Sequence, residues 1–134
     1  MSGNQPRRLA IVDDDQGARS GLARLLRCLG HEVRLFESAE AVEAADAADL
    51  DVDCLIVDIR LPGVTGPELH DRLRSRGAMT PVVFITGDAH VKPRDAARTG
   101  GTVTVIKPFD SETLLAAVDA AISAAQGSNG RHAR

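Results

Sequence analysis

The sequence has no tryptophan and no tyrosine, and only three phenylalanines among its 134 residues. That removes most of the material for stacking nucleic-acid bases, which single-strand binders draw from aromatic faces. Cysteine is also scarce. Cys28 and Cys54 both stand inside apolar patterns, so reduced, buried thiols are expected rather than a disulfide or a metal pair. His31, His70, His90 and His132 show no metal-ligand spacing with one another or with either cysteine, and each reads as a surface residue. Long hydrophobic runs are missing too. Stretches such as "CLIV" (Cys54 to Val57) and "PVVFI" (Pro81 to Ile85) cannot span a bilayer, and "MSGNQPRR" at the start has no apolar segment of a signal peptide behind it. A cytoplasmic protein without membrane contact is expected.

Excess basic charge is a further absence: 16 Lys and Arg stand against 19 Asp and Glu, for a net charge of −3. Direct nucleic-acid contact by this domain is not expected, because neutralising phosphates needs clustered cations on one face. The local arginines, Arg24 and Arg27 and then Arg72, Arg74 and Arg76, read as solvated helix faces. No G-x-x-x-x-G-K-[ST] or G-x-G-x-x-G occurs, and "GVTG" from Gly63 to Gly66 reads as a turn.

What is present is one domain's worth of alternating pattern. Strands are expected at Arg8 to Asp13, Glu32 to Phe36, Asp53 to Asp58, Pro81 to Thr86 and Thr102 to Ile106. Helices are expected between and after them, at Gln16 to Leu29, Ala39 to Ala48, Pro67 to Arg76, about Val91 to Thr99, and Ser111 to Ala125. The first carries Leu22, Leu25, Leu26 and Leu29 as an apolar stripe, and the last carries Leu114, Leu115, Val118 and Ile122. Ser38 and Asp110 suit N-caps, and Gly30, Gly77 and Gly100 suit helix ends. Strict alternation with right-handed crossovers yields a doubly wound α/β domain, a parallel sheet covered by five helices on its two faces. The domain is placed at residues 7–125, with flexible tails at 1–6 and 126–134.

In such a sheet, ligands bind beyond the carboxyl ends of the strands. The first strand ends in Asp13, Asp14 and Asp15, the third in Asp58, the fourth in Thr86 and the fifth in Lys107. Asp15 suits an N-cap. The other carboxylates are not explained that way, since two of them roughly 4 Å apart repel by about 4 kcal/mol at an effective dielectric near 20. A divalent cation such as Mg²⁺ reverses that sign, and carboxylates meeting a lysine and a threonine suit phosphoryl handling. Asp58, between the acidic cluster and the Thr86 and Lys107 ends, is the favoured nucleophile for an aspartyl phosphate.

At "VDDD" (Val12 to Asp15), "LIVDIRLPGVTGPEL" (Leu55 to Leu69), "FITGD" (Phe84 to Asp88) and "IKPF" (Ile106 to Phe109) the sequence resembles the receiver domain of two-component response regulators. "SAEAV" at Ser38 to Val42 and "DIRLPGVTG" resemble its FixJ-type branch, in which a receiver often precedes a DNA-binding effector. The resemblance implies a flavodoxin-like strand order 2-1-3-4-5. It also implies that Asp58 accepts a phosphoryl group from a sensor histidine kinase or phosphotransfer protein and that a downstream effector protein or domain reads the result. Asp13, Asp14, Asp58 and the backbone carbonyl of Arg60 would hold Mg²⁺, Lys107 would pair with the phosphoryl group, and Thr86 would move toward it. A cis Lys107–Pro108 peptide is implied as well. Such a domain is no enzyme beyond catalysing its own phosphorylation and dephosphorylation.

The sequence departs from the family in carrying Thr104 where an aromatic is common, and the helix with Pro93 is expected to be short or mobile. Arg60 and Asp88 lie two positions beyond Asp58 and Thr86, where the family's side chains overhang the site, so the resemblance implies a charge pair across it; the alternative is two solvated loop residues. Two alternatives stand beside the receiver reading. One is an interaction module of the same fold that works without phosphorylation. The other is a haloacid-dehalogenase-like phosphohydrolase using Asp13 as nucleophile and Asp15 as acid, although its motif asks for Thr or Val at Gly17.

Overall fold

A computed structural model describes residues 5–87 and 103–132. The expected helix at Val91 to Thr99, the stop at Gly100 and the Arg60 to Asp88 pairing fall on or involve residues outside that range. The elements run β1 (Arg8–Val12), α1 (Gln16–Cys28), β2 (Glu32–Phe36), α2 (Ala39–Ala44), β3 (Cys54–Asp58), α3 (Gly66–Ser75), β4 (Val82–Thr86), β5 (Val103–Ile106) and α4 (Ser111–His132). All strand pairs are parallel, and the order is β2-β1-β3-β4-β5. The doubly wound reading and the strand order of the flavodoxin-like fold both hold.

Alternation along the strands splits the core into two layers. Leu9, Ile11, Cys54, Ile56, Val83 and Ile85 face α1 and α4, where Leu26, Leu114, Val118 and Ile122 meet them. Ala10, Val12, Leu55, Val57, Val82 and Phe84 face α2 and α3, meeting Val42, Leu69 and Leu73. Because both faces are covered, β4 is buried along its whole length and reads as an apolar run up to its last residue, Thr86. Fully buried leucines such as Leu26 and Leu114 contribute about 1.5 to 3 kcal/mol each from removal of apolar surface from water.

Caps set where the helices begin. Asp15 accepts the Gly17 N–H at 3.0 Å, Ser38 accepts Ala41 N–H at 3.0 Å, and Asp110 accepts Thr113 N–H at 2.7 Å. α3 starts with a full capping box, in which Thr65 and Glu68 exchange side-chain-to-backbone bonds, and Pro67 sits in its first turn.

Several expectations need correction. The inward face of α1 is centred on Ala23 and Leu26; Leu25 and Leu29 are 41% and 48% exposed, so the four-leucine stripe was read too wide. Cys28 lies on that helix's exposed side, and only Cys54 is buried. His31 and His70 are buried rather than on the surface. His31 accepts the Arg7 N–H through Nδ1 at 3.0 Å, which satisfies it beneath the first strand. α2 stops at Ala44 instead of Ala48, because the chain must turn to bring Leu50 and Val52 against the core before β3. α4 runs on to His132, past the expected end at Ala125 and into the segment read as a flexible tail, since each added residue of a formed helix gains a backbone bond.

Candidate metal and phosphoryl site

Four strand ends deliver the site. β1 passes directly into Asp13, whose N–H donates to the Phe36 carbonyl at 3.1 Å, holding it at the mouth of the sheet. The Asp13 side chain is nearly wholly buried, and its Oδ1 accepts the Asp15 N–H at 2.9 Å. Arg19 also donates to the Asp13 backbone carbonyl at 2.7 Å. Asp14, next in sequence, is exposed. β3 ends in Asp58, whose Oδ1 accepts the Arg60 N–H at 2.9 Å, and β4 ends in buried Thr86. The Lys107 N–H donates to the Thr86 carbonyl at 2.7 Å, continuing the β4 to β5 pairing, and a cis Lys107–Pro108 peptide follows as expected.

These placements bring Asp13, Asp14 and Asp58 together: one carboxylate oxygen from each lies within 4.8 Å of the others. Lys107 Nζ stands 3.8 Å from Asp13 Oδ2 and 4.0 Å from Asp58 Oδ2. Burial raises the Asp13 pKa above the ordinary carboxylate range; the Asp15 N–H opposes that, the charges of Asp58 and Asp14 add to it, and Lys107 offsets part of it. The donor set is hard oxygen ligands with Lys107 beside them, which fits a divalent ion of the Mg²⁺ kind.

Behind Asp58 the packing is tight. A Cβ on Gly66 would stand 2.7 Å from the Asp58 carbonyl oxygen, so only glycine lets α3 begin this close to the strand end. On β5, half-buried Thr104 lies in register with Phe84, two residues before Thr86 on β4.

The response regulator receiver domain model matches residues 9–119. The chain belongs to the response regulator receiver family. Its relatives include the transcriptional regulatory protein FixJ of Azorhizobium caulinodans, 38% identical over 120 residues that cover 87% of this chain and 56% of the relative. Nodulation protein W of Bradyrhizobium diazoefficiens is 37% identical over 112 residues, covering 83% of this chain and 49% of its own. Among solved structures, the crystal structure of FixJ-N superposes with a TM-score of 0.80 at 32% identity, covering 89% of this chain and 95% of that one. The chain thus spans about half the length of the curated relatives it matches. Membership of this family gives the phosphohydrolase alternative no support.

Asp13, Asp14, Asp58, Thr86 and Lys107, all singled out from the sequence, meet at one end of the sheet, and Arg60 follows Asp58 in the same loop. Sequence reasoning missed Glu40, whose carboxylate reaches the loop after Asp58 and accepts the Val64 N–H at 3.4 Å. Nothing local in "SAEAV" signals a partner 24 residues away. It also missed Gly66 as a packing requirement, having read "GVTG" as a turn alone.

Proposed function

We propose that this chain is a phosphoacceptor receiver that takes a phosphoryl group onto Asp58 from a phosphohistidine of a sensor kinase or phosphotransfer protein. An Asp58 oxygen attacks phosphorus, the bond from phosphorus to imidazole nitrogen breaks, and the electron pair leaves with the imidazole. Asp13, Asp14, Asp58 and the Arg60 backbone carbonyl are the groups that would hold Mg²⁺. When bound, the ion offsets negative charge on the transferring phosphoryl oxygens.

The chain's own groups do the rest. Lys107, already between Asp13 and Asp58, neutralises a phosphoryl oxygen once one arrives. Thr86, at the adjoining strand end, supplies a hydroxyl to bond another. The phosphorylated state is then read by a downstream effector protein or domain, and the domain catalyses no reaction beyond its own phosphorylation and dephosphorylation. We place it in the cytoplasm, in keeping with the absence, among the described residues, of a helix long and apolar enough to cross a membrane.

The observation that carries this reading is the convergence of three carboxylates and one lysine at the carboxyl end of a receiver sheet. Incubation with acetyl phosphate and Mg²⁺, followed by intact mass measurement, should show one added phosphoryl group that Asp58→Asn loses. A second reading, an interaction module working without phosphorylation, draws on Thr104 in the place of the family's usual aromatic. A wild-type chain that stays unlabelled in the same assay would favour it.

A further inference from the structure

The loop from Asp58 to Gly66 is tied at both ends. At its start the Arg60 N–H donates to Asp58 Oδ1 at 2.9 Å, and at its end the Gly66 N–H donates to the Ile59 carbonyl at 3.1 Å. Between those ties the chain makes a left-handed turn at Gly63, with φ of 74°. Glu40 reaches this turn from another element. It sits in the first turn of α2, behind the Ser38 cap, where a carboxylate is also favoured by the helix dipole.

Two observations fix the contact. Glu40 Oε2 accepts the Val64 N–H at 3.4 Å, and the same oxygen lies 2.7 Å from where a Cβ on Gly63 would stand. Gly63 therefore serves twice, adopting the positive φ and leaving room for the carboxylate. Leu61 and Val64 pack into the core layer under α2 and α3, so the loop's apolar side chains are pinned beneath while Glu40 holds its backbone.

Resting on the phosphoacceptor reading above, we propose that Glu40 is a positioning residue for the phosphoryl site. Its carboxylate clamps the Gly63–Val64 turn to α2 and so holds the Arg60 carbonyl and the Asp58 carboxylate in the arrangement that receives the metal. It touches neither metal nor phosphoryl group. A glutamine can take its place, because the role needs an acceptor oxygen at that reach rather than a charge in the site.

Amide hydrogen exchange of the metal-free, unphosphorylated protein, read by NMR, tests the clamp directly. In Glu40→Ala, exchange at Val64 should rise roughly three- to tenfold, with β1 and β4 unchanged, whereas Glu40→Gln should remain within about twofold of wild type. Gly63→Ala, which fills the space of the carboxylate, should resemble Glu40→Ala. A Mg²⁺ titration on the same samples should give weaker binding for Glu40→Ala and near wild-type binding for Glu40→Gln. Wild-type exchange at Val64 in Glu40→Ala would overturn the proposal, and so would faster exchange with unchanged Mg²⁺ affinity. Failure of the wild type to take a phosphoryl group at Asp58 would instead overturn the phosphoacceptor reading, and the Val64 exchange result would stand apart from it.

Discussion

Lys107 Nζ stands 3.8 Å from Asp13 Oδ2, a partly exposed cation set against a carboxylate that is almost wholly buried. The lysine offsets part of what burial and the neighbouring Asp58 and Asp14 cost that carboxylate, yet the Asp13 pKa stays above its ordinary value. Lys107 brings one positive charge to three carboxylates, and a bound divalent ion would offset more of their repulsion.

Thermal melts followed by circular dichroism should expose this repulsion. With its pKa raised on folding, Asp13 favours the folded state at low pH, and that contribution is lost as pH rises through its folded value. Asp13→Asn should accordingly stabilise the metal-free protein at neutral pH, and Lys107→Met should destabilise it by about 1 to 2 kcal/mol. Mg²⁺ should raise the melting temperature of the wild type and of Lys107→Met, but barely that of Asp13→Asn. Equal Mg²⁺ gains in all three proteins would contradict the assignment of Asp13 as a ligand.

His70 predicts a second pH dependence, away from the site. The residue is 3% exposed, its ring packs at 6.2 Å from the Phe84 ring, and neither nitrogen has a hydrogen-bond partner among the described residues. Burial pushes its pKa down to about 4, with the Arg74 charge adding to the shift and Asp71 opposing it. Below the ordinary histidine value of 6.5 the unfolded chain takes up a proton that the folded chain refuses until about pH 4. Stability should fall over that window by about 3 kcal/mol in total. Urea melts of His70→Leu should lack this component; an unchanged pH profile would place the loss elsewhere.

The two cysteines should separate cleanly under alkylation. Burial pushes the Cys54 thiol up to about 12, while Cys28 is exposed on α1. Iodoacetamide on the native protein should label Cys28 alone, and both thiols only after unfolding. Labelling of Cys54 in the native state would mean that β3 opens.

How much of this was legible in the sequence follows from the range of each interaction. Asp13, Asp58, Thr86 and Lys107 were readable because each directly follows or ends a short apolar run in an alternating α/β pattern, and strand direction alone carries them to the same end of the sheet. The capping roles of Asp15, Ser38 and Asp110 were readable because a cap acts within three residues. Helix faces were harder. Leucines at four positions of α1 span more of the circumference than the sheet can cover, so periodicity could not say that Leu25 and Leu29 stay exposed and Ala23 turns inward. His70 was misread because a histidine has no pattern of its own, and its burial depends on α3 lying over Phe84. The Glu40 contact depends on how α2 packs beside a loop 24 residues on, which no local pattern encodes.

Which carboxylate takes the phosphoryl group is the question most directly open to measurement. After treatment with acetyl phosphate and Mg²⁺, borohydride reduces an acyl phosphate to the alcohol, leaving homoserine at the modified aspartate, which peptide mass spectrometry then locates. Homoserine at position 58, and at neither 13 nor 14, is the predicted result. Homoserine at Asp13 or Asp14, or at none of the three, would contradict it.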